Sequence, residues 1–248
     1  MRVAVVGASS GLGRCIGVGL ARAGAQVALL ARRKERLQDA AEEAGPGTLA
    51  IACDATDAAS CHAAVEEAVA GLGGLDGLVY TPGVGPLVRL ADMDAERWHS
   101  TFATNVVGAS LMTAAALPHL QASHGTAAYL SSVSASQTPP WPGLGAYAVT
   151  KAAMDKLVDA WRAEHPDVGF TRVVVGDCAG GEGDALTEFA NGWDTELAAE
   201  LLPTWMARGY LAGNLLPVER LVHVIDVVLR AGAVDAIPSI VVAPRYAS

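Results

Sequence analysis

Short runs of apolar and β-branched residues alternate along the chain with longer, Ala-rich stretches of helical composition. Such runs, bounded by Gly, Pro or polar residues, are typical of strands buried within a sheet. They predict strands at residues 3–6, 26–30, 48–53, 75–80, 127–131, 170–175 and 239–242. Helices are expected at residues 14–23, 58–70, 96–117 and 217–230, and another should contain Tyr147.

Regular alternation of strand and helix specifies a parallel sheet, since each strand is followed by a helix that returns the chain to the same end. We therefore predict an α/β fold, a Rossmann-type doubly wound parallel sheet of about seven strands with helices on both faces. The 248 residues contain no Ser-, Gly- or Pro-rich linker, so residues 1–248 are expected to form a single domain.

The carboxyl ends of parallel strands meet at one edge of the sheet, where ligands bind in folds of this kind. Residues that follow predicted strands should therefore share this edge: Gly7, Arg32, Asp54, Gly83, Ser131 and Asp177. An apolar insert within about residues 180–212 interrupts the alternation and includes Leu186, Phe189, Trp193, Leu201, Trp205 and Met206. It would form a substrate lid at that edge; the alternative is a peripheral helical pair whose apolar stripe is ordinary core.

A glycine-rich turn joins the first strand to the first helix. Glycine lacks the Cβ that would keep a ligand from the backbone, and a helix N-terminus attracts anions, so the turn suits a pyrophosphate. Its place between a buried strand and a helix favours a dinucleotide site over a plain tight turn. The candidate residues are Gly7, Ser9, Ser10, Gly11, Leu12 and Gly13.

Basic residues, Arg32 and Arg33, follow the second predicted strand. A fold that prefers NAD carries an acidic residue here, whereas guanidinium groups bind the 2′-phosphate of NADP. The sequence thus favours NADP(H) over NAD(H), unless residues 32–36 are only a solvated first helical turn. Asp54, after the third strand, would cap the next turn or contact the adenine.

Tyr147 and Lys151 lie four residues apart in a stretch of helical composition, which places both side chains on one helix face. A cation beside the phenol would stabilise the phenolate and lower the tyrosine pKa from about 10 toward neutrality. Such a tyrosine is a candidate general acid/base. On its own, the pair is also typical of an ordinary helix face.

The charge balance, 17 basic against 26 acidic residues with a formal net charge of -9, disfavours nucleic acid and anionic membranes as partners. Although 52% of the residues are apolar, no nearly unbroken apolar run approaches the roughly 18 residues of a membrane helix. The N-terminus lacks the pattern of a signal peptide, so a cytoplasmic protein is expected. Four scattered cysteines and six dispersed histidines indicate no metal site.

Between Trp98 and Thr150 the chain contains no Asp, Glu, Lys or Arg. A long helix can lack charges on every face only if both sides are covered. The helix at residues 96–117 is therefore expected to pack on the sheet and on another subunit, which predicts a homodimer or homotetramer.

Five features, in order along the chain, resemble the classical short-chain dehydrogenases/reductases. They are Gly7-x-x-x-Gly11-x-Gly13, Asp54 after the third strand, Asn105 in Thr-Asn-Val-Val-Gly, Ser132, and Tyr147-x-x-x-Lys151. The resemblance is in register from residue 1 to about residue 175 and looser beyond.

This resemblance implies a role for each of four residues. Tyr147 would be the general acid/base, and Lys151 would bind the nicotinamide ribose and lower the tyrosine pKa. Ser132 would hydrogen-bond the substrate oxygen, and Asn105 would hold a water that relays protons to Lys151. Tyr147, Lys151 and Gly83, which follows the fourth strand, would also contact the cofactor.

The sequence departs from the family pattern at three places. The family's Asn-Asn-Ala-Gly is here Tyr80-Thr81-Pro82-Gly83, which removes the usual Asn contribution to the central sheet. The loop before Tyr147 is longer than is common, so Ser134 is a second candidate for the serine role. The usual Pro-Gly after the sixth strand is Asp177-Cys178, which affects the nicotinamide side.

The sequence thus predicts an NADP(H)-dependent oxidoreductase that transfers a hydride between the nicotinamide and a carbonyl or alcohol. The aromatic residues of the insert suggest a bulky apolar small molecule as substrate. One alternative is a non-catalytic NADP(H)-sensing protein, which has no need of the complete set of four residues. Another is a nucleotide-sugar epimerase or dehydratase, which the chain length and glycine spacing disfavour.

Overall fold

The computed structural model describes residues 1–180, 189–211, 213–232 and 235–245. In this part of the chain seven strands form one parallel sheet: β1 (Arg2–Val6), β2 (Gln26–Ala31), β3 (Leu49–Ala52), β4 (Gly77–Tyr80), β5 (Thr126–Ser132), β6 (Gly169–Val175) and β7 (Ser239–Val242). The order across the sheet is β3-β2-β1-β4-β5-β6-β7, so the winding reverses between β1 and β4. The predicted fold class is confirmed, and strand ends differ from the prediction by one or two residues at most.

Helices cover both faces of the sheet. They are α1 (Gly11–Arg22), α2 (Lys34–Ala44), α3 (Ala58–Leu72), α4 (Ala95–Phe102), α5 (Gly108–Ser123), the single turn α6 (Val133–Ser136), α7 (Gly145–Glu164), α8 (Thr195–Ala207) and α9 (Val218–Ala231). Val65 of α3, Met112 of α5 and Met154 of α7 belong to one core, whereas Ile16 of α1 and Ile225 of α9 belong to the other. The central strands are thus buried from both sides, which explains their continuous apolar runs.

The charge-free part of the chain includes most of one long helical segment, Ala95–Ser123, in which a π-helical turn at Ala103–Val107 joins α4 to α5. The segment extends past the predicted end, through Pro118, because Leu120 anchors the last turn in the core with 0% exposure. By length and composition it could cross a membrane, with a mean hydropathy of 1.2. One such helix is a weak indication, since core helices pass the same test, and this one packs on α3. The cytoplasmic location stays a prediction.

A third apolar cluster lies at the start of α7 and includes much of the predicted insert. Its members are Leu87, Leu144, Leu201 and Trp205, with Trp141, Phe189, Trp193, Leu197, Ala198 and Tyr210 packed around them. The Trp205 indole donates to the Pro142 carbonyl at 3.0 Å, which fastens α8 to the loop before α7. Of the other insert residues, Met206 is 64% exposed, and Leu186 lies outside the described residues.

Thr81 replaces the structural contribution that the family's asparagine makes to the central sheet. Its hydroxyl donates to the carbonyl oxygen of Val6 at 2.6 Å and so ties the end of β4 to the end of β1. The neighbouring Tyr80 phenol donates to the Thr104 carbonyl in the π-helical turn at 2.5 Å. The departure at these positions therefore leaves the centre of the sheet bonded, through different side chains.

Candidate active site

The glycine turn folds closely on itself between β1 and α1. Gly7 and Gly11 have φ angles of +82° and +56°, which residues with a side chain rarely adopt. A Cβ on Gly13 would lie 2.4 Å from the Gly7 carbonyl oxygen, so no side chain fits there. The turn therefore presents bare backbone at the N-terminus of α1, which is where an anion is favoured.

Arg33 closes one side of this turn. Its guanidinium donates to the Ser9 hydroxyl at 3.0 and 3.2 Å and to the Ser10 hydroxyl at 2.5 Å. Three groups that bind phosphate oxygens, one guanidinium and two hydroxyls, thus meet where β2 ends. The sequence predicted both arginines, and the structure brings Arg33 to the turn.

Asp54 lies just past the end of β3, close enough to Arg32 for the charge of Arg32 to act on it. The Asp54 carboxylate accepts from the Thr56 hydroxyl at 2.7 Å and from the Thr56 backbone N–H at 2.9 Å. These hydrogen bonds, and more weakly the charge of Arg32, lower the pKa of Asp54. Asp54 therefore caps the local turn, one of the two roles expected of it, while Asp57 caps α3.

Tyr147 and Lys151 share one face in the first two turns of α7. The Lys151 Nζ lies 5.8 Å from the centre of the Tyr147 ring and donates to the Leu130 carbonyl of β5 at 2.7 Å. A Cβ on Gly83 would come within 3.1 Å of that Nζ and 3.9 Å of the Tyr147 ring. The loop after β4 thus approaches both side chains closely because residue 83 has none.

Burial dominates the ionisation of both side chains. It raises the pKa of Tyr147 to about 12, a shift that the Ser132 hydrogen bond reduces and the charge of Asp155 increases. Burial also lowers the pKa of Lys151 to about 8, and Asp155 opposes that shift. The expected fall of the tyrosine pKa toward neutrality is therefore not what this structure favours, because desolvation of the phenolate raises the pKa of Tyr147 instead.

The two candidate serines differ in their surroundings. Ser132 is the last residue of β5, and its hydroxyl accepts from the Ser134 backbone N–H at 3.2 Å and lies 2.9 Å from the Ser134 hydroxyl. A hydrogen bond from Ser132 lowers the pKa of Tyr147, and Ser134 has no such effect. The geometry favours Ser132 for the serine role, with Ser134 behind it.

Asn105 lies in the π-helical turn and is fully buried. Its side-chain amide donates to the Val84 carbonyl at 2.9 Å and to the Thr150 hydroxyl at 2.8 Å, and its oxygen accepts from the Val84 N–H at 2.8 Å. The side chain therefore fastens the loop after β4 to α7. Both amide hydrogens are used in this way, so the side chain has no donor left for the water expected beside Lys151.

Phe189 forms an aromatic wall over the candidate acid/base. Its ring centre lies 4.7 Å from that of Tyr147, and Trp193 packs edge-on against it at 5.4 Å. The Trp193 indole donates to the Gly85 carbonyl at 2.9 Å, and a Cβ on Gly85 would come within 2.4 Å of the Phe189 ring. The insert thus covers the site through contacts with the loop after β4.

The structure brings most of the predicted site residues to the carboxyl edge of the sheet. Ser131 is the exception, since it lies inside β5 and is 4% exposed, so only Ser132 reaches the edge. Sequence reasoning missed Thr81, Gly85 and Asp155. Of these three residues, only Asp155 could have been identified from the sequence, because it follows Lys151 by four residues in the same helix.

Comparison with known proteins gives a consistent picture. A family model described as short chain dehydrogenase matches residues 1–190. An 11-beta-hydroxysteroid dehydrogenase A of Sesamum indicum is 33% identical over 180 residues, which cover 70% of this chain and 51% of that protein. The chain spans about half the length of such relatives.

Solved structures share the fold at lower identity. A short-chain type dehydrogenase/reductase from Mycobacterium marinum has a TM-score of 0.83 at 25% identity, covering 98% of this chain and 93% of that one. A 3-ketoacyl-(acyl-carrier-protein) reductase from Brucella melitensis, complexed with NADH, has a TM-score of 0.80 at 23% identity, covering 98% and 96%. An alcohol dehydrogenase from Thermococcus sibiricus, complexed with 5-hydroxy-NADP, has a TM-score of 0.79 at 23% identity, covering 97% and 94%. The chain belongs to the short-chain dehydrogenase/reductase family of NAD(P)(H)-dependent oxidoreductases.

Proposed function

We propose that the chain is an NADP(H)-dependent oxidoreductase that interconverts a ketone or aldehyde and the corresponding alcohol. The observation that carries the proposal is the cluster of Ser132, Tyr147 and Lys151 beside Gly83, at the edge of the sheet that also holds the glycine turn. A proton donor, a hydroxyl and a cation within one site are the groups that a carbonyl reduction requires.

The residues around the glycine turn fit a dinucleotide cofactor. The close approach of Gly13 to Gly7 leaves bare backbone for a pyrophosphate, and Arg33 with Ser9 and Ser10 would hold a 2′-phosphate. Lys151 and Gly83 would contact the nicotinamide half. When bound, the cofactor supplies or accepts the hydride.

The chemistry of the protein side chains follows from their protonation. With its pKa raised to about 12, Tyr147 holds its proton at neutral pH and can donate it to the oxygen of a carbonyl that is being reduced. Ser132 would hydrogen-bond the same oxygen and stabilise the negative charge that develops on it. Lys151 remains mostly charged near neutral pH, since its pKa is about 8.

The aromatic wall supports a bulky apolar substrate. Phe189 packs on the Tyr147 ring and Trp193 packs on Phe189, which places apolar surface beside Tyr147. A relative at 33% identity is named an 11-beta-hydroxysteroid dehydrogenase, and steroids are large apolar molecules. We therefore place the substrate among large apolar alcohols and ketones.

Oligomerisation through the charge-free face also belongs to the proposal. Val107 of the π-helical turn and Val149 of α7 are 49% and 46% exposed, and both lie in the segment without charged residues. Apolar side chains at that exposure suit contact with a second copy of the chain. Members of the family often form oligomers, and a homodimer or homotetramer would cover this face.

A panel of carbonyl compounds tests the activity. Purified protein with NADPH would be mixed with ketones and aldehydes that range from small aliphatic to polycyclic compounds, and NADPH absorbance would be followed. We expect turnover with the larger apolar compounds. Tight NADPH binding without turnover across the panel would favour the alternative, a non-catalytic NADP(H)-sensing protein in which Phe189 keeps substrate from Tyr147.

The cofactor preference rests on Arg33. Arg33→Ala should raise the KM for NADPH by about tenfold to a hundredfold, since hydrogen bonds to charged groups contribute about 1.5–3 kcal/mol, and should leave the KM for NADH little changed. Arg32→Ala measures separately the contribution of the neighbouring arginine, the other candidate for the 2′-phosphate. An unchanged NADPH to NADH ratio in Arg33→Ala would count against an NADP site at this turn.

A further inference from the structure

The helix α7 carries a buried ionisable side chain to which the proposed function gives no role. Asp155 is 6% exposed and follows Lys151 by one helical turn on the same face. Among the described residues its Oδ1 atom has no hydrogen-bond partner at normal distance, and burial raises the pKa of its carboxyl, an effect that Ser131 reduces. A buried carboxylate with an unsatisfied oxygen is costly, so we ask on which nearby group its charge acts.

Four polar or charged side chains act on Asp155. Ser131 of β5 and Arg172 of β6 approach it from the sheet, and Lys151 and Asp159 belong to its own helix. Arg172 lies 3.7 Å from the Asp159 carboxylate, which also bonds Lys156 and Arg162. Arg172, which acts on Asp155, thus also forms an ion pair with Asp159.

In contrast to Asp155, Lys151 has few charged groups near it among the described residues. Its Nζ donates to the neutral Leu130 carbonyl, and within the described part of the chain Asp155 is the one charged group that acts on its ionisation. The attraction between these two side chains is strengthened by the low dielectric constant of their buried surroundings.

We propose that Asp155 is a positioning residue, whose carboxylate keeps the Lys151 ammonium charged and oriented beside Tyr147. The inference rests on the proposed function for its catalytic meaning. The charge coupling between Asp155 and Lys151 can be measured whether or not the protein shows enzymatic activity.

The directions of the pKa shifts agree with this role. Asp155 raises the pKa of Lys151 against the effect of burial, and it also raises the pKa of Tyr147. Both effects favour the state in which the lysine is charged and the phenol holds its proton. Removing the carboxylate should therefore lower both pKa values.

The small number of lysines makes the coupling directly measurable. The chain contains three, Lys34, Lys151 and Lys156, so ¹³C-labelled lysine gives three Cε signals, assigned by Lys→Arg replacement of Lys34 and Lys156. An NMR titration of these signals against pH reports the pKa of each ammonium. In Asp155→Asn the pKa of Lys151 should fall by about one unit, a tenfold change in its proton affinity.

Two variants control for structural effects. Asp155→Glu keeps the carboxylate and should restore most of the Lys151 pKa, whereas Asp226→Asn, which removes a carboxylate of α9 that pairs with Arg230, should leave it unchanged. An unchanged Lys151 pKa in folded Asp155→Asn overturns the proposal. Should that variant fail to fold, the wild-type titration decides, because the Lys151 signal should shift a second time at the acidic pH where Asp155 takes up its proton, and no second shift overturns the proposal.

The pH dependence of activity separates this inference from the proposed function. If the protein reduces a carbonyl, the alkaline fall in kcat/KM should move to lower pH in Asp155→Asn and return in Asp155→Glu. A profile that stays in place while the rate falls uniformly would mean that Asp155 acts only on the fold. Absence of all turnover in the wild type would refute the proposed function, and the NMR result would still decide the coupling.

Discussion

Replacing Lys151 by Met should make the protein more stable at neutral pH, because the substitution removes a charge that the fold buries. Lys151 is 2% exposed, and its pKa falls from 10.5 to about 8 with burial as the largest cause. A difference of about 2.5 in pKa corresponds to about 3 kcal/mol. Methionine has a similar length but leaves the Leu130 carbonyl without its donor, which costs about 1 kcal/mol. The expected net gain is about 2 kcal/mol.

The dependence on pH has a definite sign. At pH 7 both the folded and the unfolded chain hold the Lys151 proton, so the full penalty applies. Between pH 8 and pH 10.5 the unfolded chain binds more protons than the folded one, and the contribution of Lys151 to wild-type stability therefore rises with pH. Lys151→Met lacks that rise.

Urea unfolding at pH 7 and at pH 10 measures both effects. The free energy of unfolding of Lys151→Met should exceed that of the wild type at pH 7, and the difference should shrink or reverse at pH 10. Lys156→Met is the matched control on the same helix, since the Lys156 side chain is 83% exposed. A Lys151→Met variant that is less stable at pH 7, or a difference that does not change with pH, would refute the reasoning.

Two further predictions concern the sheet and the charge-free face. Thr81→Val should lower the free energy of unfolding, measured in urea, by about 1–2 kcal/mol, because it removes the hydroxyl that bonds the Val6 carbonyl. Thr81→Ser keeps the hydroxyl and should retain most of that free energy. Equal stability of the two variants would contradict this prediction. Val149→Glu should shift the protein toward monomer in size-exclusion chromatography with light scattering, whereas Val227→Glu, a 45% exposed position on α9, should not. An unchanged mass for Val149→Glu would place any subunit contact elsewhere.

Local patterns predicted the fold, and they predicted which candidate residues lie together where those residues are close in sequence. The strand from Val3, the glycine turn and the helix after it form one continuous segment, so their order in the sequence is their order in space. Tyr147 and Lys151 were predictable for the same reason, because helical geometry alone places them together.

Other features depend on contacts between distant segments, which no local pattern encodes. Arg32 and Arg33 are neighbours with the same charge, and only the direction of the chain after β2 sends Arg33 to Ser9. The pKa of Tyr147 was predicted in the wrong direction because the burial that raises it depends on how distant segments pack around the ring, among them Phe189. The contribution of Thr81 likewise required the neighbouring strand β1.

Donation of the proton by Tyr147 in a hydride-transfer reaction can be tested with single-turnover kinetics of Tyr147→Phe. Tyr129→Phe is the matched control, because it also removes a buried phenol. The Tyr129 hydroxyl bonds Thr113 in the core on one face of the sheet, whereas α1, which follows the glycine turn, packs in the core on the other face. With NADPH and the best carbonyl of the panel, Tyr147→Phe should lose NADPH oxidation by at least about a hundredfold while its NADPH affinity stays near that of the wild type. A Tyr147→Phe variant that oxidises NADPH at the wild-type rate would contradict this role of Tyr147.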